Sequence, residues 1–299
     1  MIRFGANPIA WSNDDDRTLG GHLSLEHCLK QAGDIGFDGI ENGHKFPSQP
    51  EPLRAALDPN GLSFVSAWYS LELLERSVAD EKKAIQPHLD LLKAMGCAVC
   101  VVCETSNSVH GTDTPISRRP ILATADWPVF GEKVTRIAEF TAAQGIELVY
   151  HHHVGTIVQT PAEIDLLMAN LGAAAKLCFD TGHCYFGGNG ADPAATLKRH
   201  IDRVGHFHAK NVRRPIMDQV TSQDLTFLDG VRRGVFTVPG DPDGAIHFPD
   251  SLALLAQANY QGWLVIEAEQ DPDIYDPLTY QTLGLTRLKQ MAADAGLAV

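Results

Sequence analysis

The chain has 299 residues, 20% of them charged, and a formal net charge of -13. That charge repels phosphate backbones and anionic lipid, so nucleic-acid and membrane partners are not expected and a small neutral ligand is. The length suits one eight-fold β/α barrel of about 250 residues, and no apolar stretch near Met1 reads as a signal peptide or membrane span, so a cytoplasmic protein is expected.

Apolar strand-like runs alternate with helix-like stretches, with no low-complexity linker, which argues for a parallel sheet in a single α/β domain spanning 1–299. Strands are expected at 3–6, 39–41, 63–67, 98–102, 146–151, 176–179, 204–208 and 264–267. Helices are expected at 25–35, 51–57, 79–95, 127–144, 161–170, 193–203, 249–258 and 277–295. Eight strands point to closure into a (β/α)8 TIM barrel. Proline opens several helices, and Gly36, Gly61, Gly96 and Gly145 stand just before strands, where a helix C-cap falls.

Cys97, Cys100 and Cys103 lie in a run that reads as a buried strand. Side chains three apart on a strand point to opposite faces, so these thiols do not converge on one ion. Cys178 and Cys184 read as core thiols, and the six cysteines suit a reducing compartment.

In this architecture the functional residues gather at strand C-termini. Glu41 ends the second expected strand, Trp68 follows the third, and Glu104 opens a polar loop containing His110 after the fourth. His151, His152 and His153 end the fifth, Asp180 and His183 the sixth, His206 and His208 the seventh, and Glu267 and Glu269 the eighth. Gly182 is expected to turn the chain between Asp180 and His183. Strand alternation puts His151 with His153, His206 with His208, and Glu267 with Glu269. Imidazoles and carboxylates from separate strands make a mixed nitrogen and oxygen set, suited to manganese, cobalt or zinc rather than calcium. Each one alone is equally well a hydrogen-bonded barrel residue. The stretch 213–248 is too long for an ordinary connection and is expected to be an insertion or lid over the mouth, with apolar residues enough to fold locally or to meet a second subunit. Homo-oligomer formation is left open.

Seven segments together resemble the xylose-isomerase-like barrel superfamily of sugar isomerases, epimerases and class II apurinic endonucleases. They are Asn7-Pro8-Ile9-Ala10-Trp11-Ser12-Asn13-Asp14, Ser66-Ala67-Trp68, Asn107-Ser108-Val109-His110-Gly111, Tyr150-His151-His152-His153-Val154-Gly155-Thr156, Phe179-Asp180-Thr181-Gly182-His183, Gly234 through Asp241, and Gly262 through Asp271. The histidine triplet and Thr237-Val238-Pro239-Gly240-Asp241 are similar to the branch that dehydrates 2-keto-myo-inositol. The resemblance implies one divalent ion, Mn2+ or Co2+ first with Zn2+ or Mg2+ as alternates, held by Glu, Asp, His and Glu. Carried onto this chain, Asp180, His208 and Glu267 match, and His151 stands where the family has a glutamate, with His153 or water as the alternative ligand. Glu147 lies four strand residues back, about 13 Å from the rim. The resemblance also implies loss of water from the keto-cyclitol to give a trihydroxycyclohexane-1,2-dione through a metal-stabilised enediolate, with isomerisation or epimerisation as the rival outcome. His183, Lys210 and Glu267 are the acid and base candidates, and His183 and Arg213 match substrate-facing positions. Trp11, Glu41, Trp68, His110 and His153 complete the expected substrate contacts.

Overall fold

The computed structural model describes residues 1–298. Nine parallel strands form its main sheet: β1 (Ile2–Ala6), β2 (Gly39–Ile40), β3 (Ser63–Phe64), β4 (Trp68–Leu71), β5 (Val99–Glu104), β6 (Glu147–His151), β7 (Ala175–Asp180), β8 (Val204–Ala209) and, after the antiparallel pair β9 (Asn211–Val212) and β10 (Phe236–Thr237), β11 (Gly262–Ile266). The order around the sheet is β3-β2-β1-β11-β8-β7-β6-β5-β4. Its two end strands, β3 and β4, are separated in the chain only by Val65, Ser66 and Ala67, so they are two halves of one barrel strand and the chain itself closes the ring. The first half pairs with β2 and the second with β5, and the break between them accounts for the difference from the uninterrupted strand expected at 63–67.

Helices α1 (Leu25–Ile35), α2 (Pro50–Leu57), α3 (Val78–Met95), α4 (Trp127–Ala142), α5 (Pro161–Asn170), α6 (Thr181–Gly187), α7 (Pro193–His200), α8 (Arg214–Ser222), α9 (Phe227–Arg232), α10 (Phe248–Gln257) and α11 (Pro277–Asp294) accompany the strands. Helix α4 shows why they pack outside the sheet: Phe130, Val134, Ile137, Ala138 and Thr141 recur at helical spacing and are all buried. Ser24 and Ser77 cap α1 and α3, and Thr160 with Glu163 forms a capping box on α5. The expected cap glycines Gly36, Gly61, Gly96 and Gly145 all have positive φ, between 66° and 93°.

The large apolar core lies between strands and helices, whereas Val99, Val101, Val149 and Cys178 form a small separate cluster. These residues alternate with outward-facing neighbours, as expected of side chains stacked in layers inside a barrel. All six cysteines are free and buried. No helix of the described residues is long and apolar enough to cross a membrane.

One expectation needs correction. The turn after Asp180 is the helix α6, capped by Asp180, whose Oδ1 accepts from the His183 backbone N–H at 2.7 Å. Gly182 has a different task from turning the chain: a Cβ there would meet the Lys210 stem at 2.5 Å, so the missing side chain makes room for that lysine. The stretch 213–248 contains the local elements α8, α9 and β10.

Candidate metal and substrate site

Four side chains from four strand ends meet at the C-terminal mouth of the barrel. His151 ends β6, Asp180 ends β7, His208 lies near the end of β8, and Glu267 follows β11 directly. One donor atom from each lies within 4.8 Å of every other, and all four residues are buried. Asp180 spends Oδ1 on the helix cap and points Oδ2 into the cluster, 3.6 Å from His151 Nε2 and 3.7 Å from His208 Nδ1. The His208 ring also touches Glu267 Oε2.

The cluster is poorly satisfied by the protein itself. Asp180 Oδ2, both ring nitrogens of His151 and Nδ1 of His208 are buried without a conventional hydrogen-bond partner. Buried polar atoms are normally paired because an unpaired one retains its desolvation penalty. Here Asp180 Oδ2, His151 Nε2 and His208 Nδ1 face one another, and their mixed imidazole and carboxylate character fits a divalent transition metal. Cys178 Sγ also lies within 4.8 Å of His151 and His208 nitrogens, but burial pushes its thiol up to about 11, so it is protonated at neutral pH.

Lys210 sits beside the cluster with all three ammonium protons used. It donates to His183 Nε2 at 2.8 Å, Glu267 Oε1 at 2.9 Å and Glu269 Oε1 at 2.6 Å. Burial opposes its charge, yet the carboxylates of Glu267, Glu269 and Asp180 outweigh burial and raise its pKa. Burial likewise opposes ionisation of Glu267, but the Lys210 charge beside it brings the carboxyl down to about 2. Glu269 goes the other way: burial pushes it up to about 7 even with Lys210 in contact. Burial holds the imidazoles of His151, His153 and His183 below the usual histidine range.

A cavity of about 340 Å³ opens above the cluster. Of the residues expected at the site, Glu41, Trp68, His110, His153, His208 and Glu267 line it. Trp68 packs edge-on against His151 and His153, with centroids 5.3 and 5.8 Å apart. Phe227 and Phe236 close the side nearest His183, at centroid distances of 6.0 and 5.3 Å, so the 213–248 stretch walls the site.

Two expected substrate contacts lie elsewhere. Trp11 is fully buried and donates its indole N–H to Gln31 Oε1 at 2.7 Å, outside the cavity lining. The Arg213 guanidinium donates to Gly234 O, Phe236 O, Thr237 Oγ1 and Asp241 Oδ2 and stacks over Tyr275 at 4.3 Å. Those bonds tie the two ends of the wall together. The cavity also takes Asp14, Asp15, Arg17 and His44 from the segments after β1 and β2, which the sequence reading did not single out as contacts. Their signal was the same strand-end position that found the others. Asp14, Asp15, Glu41, Glu267 and Glu269 face this space together with Arg17 and four histidines, a lining rich in hydrogen-bonding groups.

A family model described as xylose isomerase-like TIM barrel matches residues 29–291. The chain belongs to that family. Rhizopine catabolism protein MocC of Rhizobium meliloti is 45% identical to this barrel over 296 residues, covering 99% of this chain and 90% of its own. The inosose dehydratase of Geobacillus thermodenitrificans (strain NG80-2) is 39% identical over 282 residues and 93% of each chain. That of Clostridium perfringens (strain 13 / Type A) is 40% identical over 285 residues, 93% of this chain and 94% of its own. Among solved structures, L-ribulose 3-epimerase superposes with a TM-score of 0.69 at 16% identity, covering 99% of this chain and 96% of its own. The probable 3-DHS dehydratase AsbF from Bacillus anthracis also gives 0.69, at 12% identity over 96% of this chain and 98% of its own. Likeness at such identities carries the fold alone, and it agrees with the barrel expected from the strand pattern. Within this barrel, Glu147 lies at the far end of β6 from the cluster, paired with Lys176 at 2.7 Å, and His151 occupies the rim.

Proposed function

We propose that this barrel is a metal-dependent hydro-lyase that removes water from 2-keto-myo-inositol to give a trihydroxycyclohexane-1,2-dione. The observation that carries the reading is the unsatisfied cluster of His151, Asp180, His208 and Glu267 beside a fully bonded Lys210. The near-full-length relatives named inosose dehydratase supply the choice of substrate. A cyclitol also suits the lining, whose carboxylates and imidazoles can hydrogen-bond its hydroxyl groups.

A divalent ion held by these four residues, Mn2+ or Co2+ first with Zn2+ or Mg2+ as alternates, supplies Lewis acidity toward a ketone and its neighbouring hydroxyl. The residues of the chain do the rest. Glu267 and Glu269 present carboxyl groups to the cavity, and Glu267 accepts the proton that leaves the carbon beside the ketone. Expelling the β-hydroxyl needs a proton, because hydroxide is a poor leaving group. Glu269, whose carboxyl burial pushes up to about 7, holds one, and Lys210, bonded to Glu269 and His183, orients it as the proton passes to the leaving oxygen and water departs. The proton that Glu267 takes from carbon restores Glu269, so the cycle balances. Trp68 offers a face to the cyclitol ring, while Phe227 and Phe236 keep water from the reacting side.

Mass spectrometry of the product tests the assignment. Manganese- or cobalt-loaded protein should convert 2-keto-myo-inositol to a dione lighter by one water and absorbing in the near ultraviolet, and a chelator should abolish the reaction. His183→Ala should lower turnover more than metal content. A product of unchanged mass would move the protein to the isomerase or epimerase class.

A further inference from the structure

We infer that Glu41 is a positioning residue for the metal ligand His208, fixing which ring nitrogen faces the ion. The inference rests on the ligand reading of His208 proposed above.

Glu41 extends the β2 ladder by one residue, its N–H donating to Ala6 O at 2.9 Å, and its side chain crosses the barrel interior toward β8. There its Oε1 takes the Nε2 nitrogens of His206 at 2.9 Å and His208 at 3.2 Å, with Ser66 Oγ at 3.3 Å. Asn7 Nδ2 donates to Oε2 at 2.9 Å. Three partners crowd Oε1, so the oxygen that meets His208 has no acceptor site left for a ligand, while Oε2, held by Asn7, borders the cavity.

The consequence falls on the other side of the His208 ring. With Nε2–H held by Glu41, Nδ1 is the atom left to face Asp180 Oδ2, Glu267 and His151, and it has no conventional hydrogen-bond partner. Proton placement on a ring nitrogen follows from the network around it, and this network allows one arrangement for a neutral ligand: hydrogen on Nε2, lone pair on Nδ1. A carboxylate behind a coordinating imidazole both fixes the ring and raises its basicity. His206 steadies the same carboxylate oxygen from two residues upstream, which explains the pair of histidines on one strand face.

The test uses the intact chain and Mn2+ alone, titrated calorimetrically into metal-free protein, with the diamagnetic Zn2+ form for nitrogen NMR of the histidine rings. In the wild type His208 should show a protected Nε2–H. Glu41→Ala should lose that proton signal and weaken Mn2+ binding by about 10–100-fold. Glu41→Gln keeps an oxygen that accepts from Nε2, so it should retain the Nε2–H signal and lose less affinity, and it serves as the informative variant if the alanine protein does not fold. Unchanged affinity and an unchanged His208 signal in both variants would overturn the inference. So would two ions per wild-type chain with one lost in Glu41→Ala, which would make Glu41 and His206 ligands of a second centre. If His208→Ala binds Mn2+ as tightly as the wild type, it is the ligand reading that fails. If His208→Ala loses the ion while Glu41→Ala keeps it, only the role of Glu41 fails.

Discussion

Two buried polar clusters in this barrel are built from the same kinds of groups and end in opposite states. Around Arg213, the guanidinium meets Asp241, Thr237 and two carbonyls, and Thr237 also reaches the same Asp241 oxygen. Around Asp180, one carboxylate oxygen and three imidazole nitrogens are left without partners. A cluster whose hydrogen bonds close on themselves holds the chain together, and one whose donors face each other unpaired is shaped for something added. Both read as polar residues near a barrel mouth, so the satisfaction of their atoms is what separates structure from chemistry.

The sharpest way to break that contrast is Asp180→Asn. Asparagine still caps α6, so the metal-free protein should keep its stability within about 1 kcal/mol, while metal analysis after dialysis should show the ion lost. Full occupancy would remove Asp180 from the ligand set. Arg213→Ala should do the reverse. It strands the buried Asp241 carboxylate and should lower unfolding free energy by about 3 kcal/mol, with metal content per folded chain unchanged. Loss of metal with stability intact would place Arg213 in the site after all.

Smaller effects probe the wall between the two clusters. Phe227 packs on His153 at 5.1 Å between centroids, so Phe227→Leu should raise KM or lower turnover at unchanged metal content and cost about 1–2 kcal/mol of stability. Normal kinetics would leave the wall a purely structural part. Arg232 ties α9 to Asp16 at 2.8 Å across the mouth, and its side chain is 43% exposed. Arg232→Ala should therefore cost under about 1 kcal/mol and raise KM with turnover preserved. A fall in turnover with KM unchanged would show that this tie does more than hold the rim.

The barrel was legible because strand and helix periods alternate cleanly, and because strand ends carried His151, Asp180, His208 and Glu267 at positions where alternation turns them inward. What stayed hidden depends on contacts between distant segments. Nothing local in Arg213 marks it as the partner of Asp241, and nothing in Trp11 says that Gln31 takes its indole proton. The helix after Asp180 was hidden because Thr181-Gly182-His183 has turn composition, and only the Lys210 stem packed over Gly182 explains the glycine. Glu41 lines the cavity, and its strand-end position could not reveal that His206 and His208 also meet its Oε1.

Anomalous diffraction from crystals of the manganese-loaded protein tests the central claim most directly. One strong peak is expected within coordination distance of His151, Asp180 Oδ2, His208 Nδ1 and Glu267, with the Glu41 carboxylate still bonded to His206 and His208. A peak away from these four residues, or none in protein shown to be folded, would contradict it.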